Sequence, residues 1–109
     1  MTHDGPGTAD NDCCLAGVVI RGPETRTSPA GVPIARFTLE HRSQRREAGL
    51  PREVRARIVV VAGGAGLQGV VAKLAAGRAV RVRGFLARGG HRAPDLRLEL
   101  HALHIDCLD

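Results

Sequence analysis

"IARFTLEHRSQRREAGLPREVRARIVVVA", Ile34 to Ala62, is the stretch that decides the fold. At its start, Ala35, Phe37 and Leu39 share one face of an extended chain, and Arg36, Thr38 and Glu40 share the other. This alternation predicts a strand from Ile34 to about Arg42 with its apolar face inward. At its end, Val54, Ala56, Ile58, Val60 and Ala62 form one face, with Arg55 and Arg57 on the other, so a strand is expected from Val54 to Ala62. Between them, "SQRREAGLPRE" is polar and punctuated by Gly49 and Pro51, and it reads as a loop. The stretch from Arg36 to Arg57 holds seven of the sixteen basic residues and one aromatic, Phe37.

The same patterning extends outward. Leu15 to Arg21, "LAGVVIR", is apolar on both faces and reads as a buried strand, followed by turn chemistry at Pro23, Pro29 and Gly31. After "GGAG", the apolar residues Leu67, Val70, Val71 and Leu74 recur at helical spacing, with Gly77 as a stop. Gly69 shortens the expected helix. A fourth strand is expected over Ala79–Ala87, where Gly84 marks a bend. "RGGHRAPD" is a basic hairpin loop, and a fifth strand runs from Leu96 to about Cys107. Leu96, Leu98 and Leu100 share one parity, while Leu103, Ile105 and Cys107 share the opposite one, so a β-bulge is expected near Ala102. Residues 1–12 read as a flexible tail, and residues 13–109 as one domain. The fold class is all-β: a five-stranded OB-fold barrel with one short helix between strands 3 and 4. An incomplete β-sandwich would give a similar pattern.

Composition narrows the chemistry. The 109 residues carry a formal charge of +5, and 2% are aromatic, so Val, Leu, Ile and Ala must build the core. Of the sixteen basic residues only Lys73 is a lysine, in keeping with a GC-rich coding bias, but the excess of positive charge points to a polyanion partner. No apolar run is long enough to span a bilayer, and the acidic, Gly-rich start lacks the parts of a signal peptide, so a cytoplasmic protein is expected. Cys13, Cys14 and Cys107 suit reduced thiols. His101 and His104, three apart in "HALHIDC", should point to opposite faces of a regular strand, and no CxxC or HxxxH spacing occurs, so neither a metal site nor a cofactor is expected. Catalytic motifs are missing too: "GGAG" lacks the lysine of a phosphate loop, and His41 reads as a hydrogen-bonded structural residue. The expectation is a protein that is not an enzyme.

By parity Arg36, Arg55, Arg57, Arg81 and Arg83 face away from the core, on three strands. They are candidates for a surface that tracks a phosphate backbone. Phe37 has core parity, whereas Phe85 shares parity with Arg81 and Arg83 and is a candidate for base stacking or for a covered contact.

"SPAGVPIARFTLEHRS", Ser28–Ser43, followed by "EAG" at Glu47–Gly49, resembles the primosomal replication protein N, or PriB, family. "VRVRGFLAR" and "LRLELHALHID" resemble its last two strands, and the resemblance spans about Leu15 to Leu108. It implies a homodimeric OB-fold that binds single-stranded DNA and bridges the PriA helicase to DnaT at stalled forks. It also implies that a basic loop between the last two strands meets DNA, matched here by Arg88, His91 and Arg92, with less charge than a lysine-rich version and with Pro94 inserted. The DNA-binding candidates are therefore Arg36, Arg42, Arg55, Arg57, Arg81, Arg83, Arg88 and Arg92. Where the family often carries aromatics after the EAG run, this chain has Leu50 and Arg55, so weaker and more salt-sensitive DNA binding is expected. Two other readings remain open. One is a general single-stranded DNA-binding protein, although the long acidic tail usual in that type does not follow "HIDCLD". The other is a protein-interaction adaptor whose arginines contact an acidic partner.

Overall fold

Alternating apolar and polar residues need a sheet with one dry face, and five such strands can hide that face by closing on themselves. The computed structural model, which describes residues 9–89 and 97–109, has this form. Its elements are β1 (Cys13–Thr27), β2 (Pro33–Glu47), β3 (Leu50–Gly63), a 3₁₀ turn (Ala65–Leu67), α1 (Gln68–Val71), β4 (Ala79–Arg88) and β5 (Leu98–Cys107). The strands close into a barrel in the order β1-β2-β3-β5-β4, with β3 and β5 parallel and every other pair antiparallel. Strand order and helix position are those of an OB-fold.

The inward parities hold for β2, the end of β3 and β4, but Ala56 and Leu98 are exposed. β1 is not buried on both faces: Val19 is fully buried, while Val18 and Ile20 are 39% and 37% exposed. Ala35, Phe37 and Leu39 of β2 are at most 2% exposed, and Val60 and Ala62 of β3 are fully buried. Val80, Val82, Leu100 and Ile105 complete the wall of the core, and Val71 and Leu74 close one end. Leu67 and Val70 pack against that end as their helical spacing requires. Helix α1 is only one turn long and stops well before Gly77. Gly69 and the absence of any side-chain cap leave little to extend it.

Two glycines are set by close approach. A Cβ on Gly17 would lie 2.3 Å from the Glu40 carbonyl oxygen, where β1 crosses β2. One on Gly84 would lie 1.8 Å from the carbonyl oxygen of His101. Opposite Gly84 the register slips: Arg83 pairs with His104, but Gly84 pairs with Ala102, so Leu103 is the extra residue. This is the bulge that the phase change in β5 foretold. It also corrects the expectation for the histidines, because the extra residue turns both His101 and His104 outward.

The segment from Gln44 to Pro51 is not a loop. β2 and β3 run in unbroken register out to Glu47 opposite Leu50. Ala48 and Gly49, with φ of 53° and 79°, form a two-residue turn of the twist that hairpins favour. Pro51 does not break the ladder. It lies opposite Arg46, one step from the turn-flanking pair, where the hairpin asks no hydrogen bond of the proline nitrogen. The result is an arm whose residues from Gln44 to Glu53 are all exposed. β1 is also longer than its sequence suggests, continuing through register shifts to Thr27.

Candidate nucleic-acid interface

Strand register fixes which outward side chains meet. On the outer wall of β2 and β3, Arg36 lies opposite Val61, Glu40 opposite Arg57, and Arg42 opposite Arg55. These four arginines keep more than half of their side-chain surface in solvent. Carboxylates on the same wall hold them. Glu40 accepts a hydrogen bond from Arg57 at 2.8 Å and lies 3.5 Å from Arg42. Glu99 of β5 accepts one from Arg36 at 2.7 Å. Arg55 is the loosest, 3.9 Å from Glu53. The hydrogen bond from Arg57 holds the Glu40 carboxyl below its ordinary pKa, against a smaller opposing effect of desolvation.

The arm adds charge that single-residue parity did not reveal. Arg42 faces Arg55, and Arg45 faces Arg52. Like charges directly across a hairpin repel. Arg52 pairs with Glu47, and Arg46 donates to the Gly49 carbonyl at 2.7 Å. From Arg42 to Arg55 the arm carries Arg42, Arg45, Arg46, Arg52 and Arg55 against Glu47 and Glu53. Such repulsion is relieved when an anion threads between the cations.

The remaining candidates divide. Arg81 and Arg83 do face outward, but on β4, which barrel closure sets between β1 and β5. Arg81 lies opposite Ala16 and Asp106, and Arg83 opposite Cys14 and His104. They form a second wall and do not extend the row on β2 and β3. Arg88 ends β4, opposite Leu98. Arg92 lies outside the described residues, as do His91 and Pro94 and most of the 1–12 segment. Within that segment Asn11 is tied to β4: its side-chain amide donates to the Leu86 carbonyl and accepts from the Leu86 N–H.

His41 is structural. Its Nδ1 meets the Ala16 carbonyl oxygen at 2.6 Å, and because a carbonyl only accepts, that nitrogen carries a proton. Its Nε2 meets the Ser43 hydroxyl at 2.8 Å. The run "LEHRS" thus has a physical reading: Leu39 fills the core, Glu40 holds two arginines, and His41 and Ser43 tie β2 to β1. Sequence reasoning placed Arg45, Arg46 and Arg52 on a loop and so missed their place on the arm. It set His101 and His104 on opposite faces, and the phase change in β5 was the available signal that both turn outward. All three cysteines are free thiols, and no group of three metal-ligating side chains is assembled among the described residues.

A closed OB barrel with an arginine-lined wall on β2 and β3 defines the class. Residues 11–103 match the model of a family described as "Another single-strand binding protein family". The replication restart protein PriB of Photobacterium profundum is 46% identical over 94 residues, covering 86% of this chain and 90% of that protein. PriB of Photorhabdus laumondii is 39% identical over 99 residues, covering 91% and 94%. Among solved structures, PriB from Ralstonia solanacearum aligns with a TM-score of 0.77 at 29% identity, over 91% of this chain and 98% of its own. A Plasmodium falciparum SSB in complex with ssDNA aligns at 0.75 with 20% identity, over 96% and 100%, which shows the shared fold. The chain belongs to the replication restart protein PriB family, among the single-strand-binding OB-fold proteins.

Proposed function

We propose that this protein is a non-enzymatic, cytoplasmic accessory factor of replication restart that binds single-stranded DNA as a homodimer and bridges the PriA helicase and DnaT. The observation that carries the DNA-binding part is the outer wall of β2 and β3. Arg36, Arg42, Arg55 and Arg57 stand exposed in one surface that continues onto an arm with like charges facing each other. A phosphate backbone laid along this wall makes charge-assisted hydrogen bonds with the guanidinium groups and relieves the repulsion between them. Arg81, Arg83 and Arg88, on β4, would meet DNA on the second wall, and Arg92, outside the described residues, remains a candidate from the family resemblance alone. The bridging role rests on membership of the PriB family, and among the described residues no helix is long and apolar enough to cross a membrane.

The test reverses Arg55 and Arg57 to Glu and measures single-stranded oligonucleotide binding and helicase binding separately. The proposal expects DNA affinity to fall by more than about tenfold and the salt dependence to flatten by about 0.7 per lost phosphate contact. Unchanged DNA binding overturns it. A second reading, an adaptor for an acidic protein with weak DNA binding, draws on the carboxylates that already engage each of these arginines. It predicts that capture of the helicase survives nuclease treatment and is lost in the reversed variant.

A further inference from the structure

The chain has two phenylalanines, no tryptophan and no tyrosine, and it spends one of the two on an outer face. Phe85 of β4 is 38% exposed. Across the strand pair lies His101 of β5, whose ring is stacked on it, with centroids 5.3 Å apart and planes within 13°. This pairing depends on the bulge. Had β5 continued from His104 in regular register, Phe85 would lie opposite Ala102, and His101 would point into the barrel. The extra Leu103 buries Ala102 and turns His101 outward onto Phe85. Only glycine fits at position 84 opposite the slip. Bulges of this kind re-aim side chains beside functional sites.

The stack is held from the side as well. His101 Nε2 lies 3.8 Å from one oxygen of Glu99, whose other oxygen accepts the hydrogen bond from Arg36. The Glu99 side chain is only 12% exposed. His101 is also the β5 partner of Val61, which in turn lies opposite Arg36. An aromatic stack, a carboxylate and an exposed guanidinium thus form one continuous row across β4, β5 and β2, on rigid strands. We propose that the stacked pair Phe85 and His101 is a nucleobase platform, on which one base of a single-stranded nucleic acid stacks while the adjoining phosphate reaches Arg36. Leu50 and Arg55 give the arm no aromatic ring, and this pair supplies a π-surface elsewhere on the barrel. Base stacking accepts any base, because every base has a π-face.

The platform rests on the single-strand binding proposed above, and the experiment separates the two. Wild type, Phe85→Leu, Phe85→Tyr and His101→Leu are compared on an oligo-dT strand and on an abasic strand of equal length across a salt series. Thermal unfolding checks each fold. On oligo-dT, Phe85→Leu and His101→Leu are expected to bind about tenfold or more weakly, with the salt slope changed by less than about 0.3, since no phosphate contact is lost. Phe85→Tyr keeps a ring and is expected to match wild type. On the abasic strand all four are expected to bind alike. A strand bearing 5-iodouracil is expected to photocross-link to the peptide holding Phe85 or His101 in wild type. If wild type binds oligo-dT and Phe85→Leu binds within twofold of it, the platform is wrong and single-strand binding stands. If wild type fails to bind either strand, both fall. If Phe85→Leu changes the oligomeric state in sedimentation equilibrium, the pair is a contact between copies of the chain, and the platform is overturned.

Discussion

Replacing Arg55 by Gln should weaken DNA binding and leave the fold as stable as before, or slightly more so. Arg55 faces Arg42 directly across the hairpin, and among the described residues its nearest carboxylate contact, Glu53, lies 3.9 Å away. A cross-strand pair of like charges costs roughly 0.2–1 kcal/mol, at the low end here because Arg55 is more than half exposed. Relief of a few tenths of a kcal/mol raises the Tm of a domain this size by about 1–3 °C. For DNA, Arg36 and Arg57 are tightly held by carboxylates, while Arg42 and Arg55 are held loosely. If only the loose pair reach phosphates the salt slope is about 1.4, and if all four do it is about 2.8. In either case the loss of Arg55 removes about 0.7, or about 2.6-fold in the affinity change over a fourfold range of salt. Fluorescence anisotropy of a labelled single strand across that range, together with a thermal melt, gives both numbers. A Tm lowered by more than about 3 °C with an unchanged slope would show that Arg55 serves the hairpin and not the ligand.

Glu40→Gln should act in the opposite sense, freeing Arg57, so the DNA salt slope steepens by about 0.7 if only the loose pair reaches phosphates in the wild type, and affinity at low salt rises. Because Arg57 depresses the folded-state pKa of Glu40, its stabilisation is complete above the ordinary value of 4.5 and is lost as pH falls through the lowered one. The difference in urea midpoint between wild type and variant should therefore shrink from about pH 7 to about pH 3. Gly84→Ala should destabilise by at least the roughly 1–3 kcal/mol of an overpacked site, because its Cβ would strike the His101 carbonyl, whereas Gly63→Ala meets nothing within 4 Å and should be tolerated. Equilibrium urea unfolding of the two variants compares them directly. Ala48→Asn should stabilise by about 0.5–1 kcal/mol, since Ala48 occupies a left-handed conformation that Asn adopts more readily. Chemical denaturation checks this, and an unchanged or lower midpoint would argue against the turn geometry.

Much of the barrel was legible because a strand with one dry face must alternate, and Phe37, Leu39, Val60 and Ala62 do. The bulge was legible for the same reason: a change of phase in the leucines of β5 has few other causes. The arm was hidden because Ala48 is not a typical turn residue and Pro51 looks like a stop. Its tolerance there depends on which hairpin pairs exchange hydrogen bonds, and only register reveals that. The candidate site was legible one residue at a time. Parity turned Arg55 and Arg57 outward, but their neighbours come from elsewhere in the chain. Arg57 meets Glu40 on another strand, and Arg36 meets Glu99, sixty-three residues away. Separation of Arg81 and Arg83 from the main wall follows from barrel closure, which no local pattern encodes.

The outer half of the hairpin projects beyond the core, with every residue from Gln44 to Glu53 in solvent. Nothing buried has to be disrupted for this part to open, so its backbone amides exchange with water through local fraying, while those of Val60 and Leu100 wait for the barrel to unfold. The arm is thus a built-in reporter. A ligand lying along it slows exchange at these amides and leaves the core amides at their own pace, so protection there reads occupancy of the wall separately from any change in global stability.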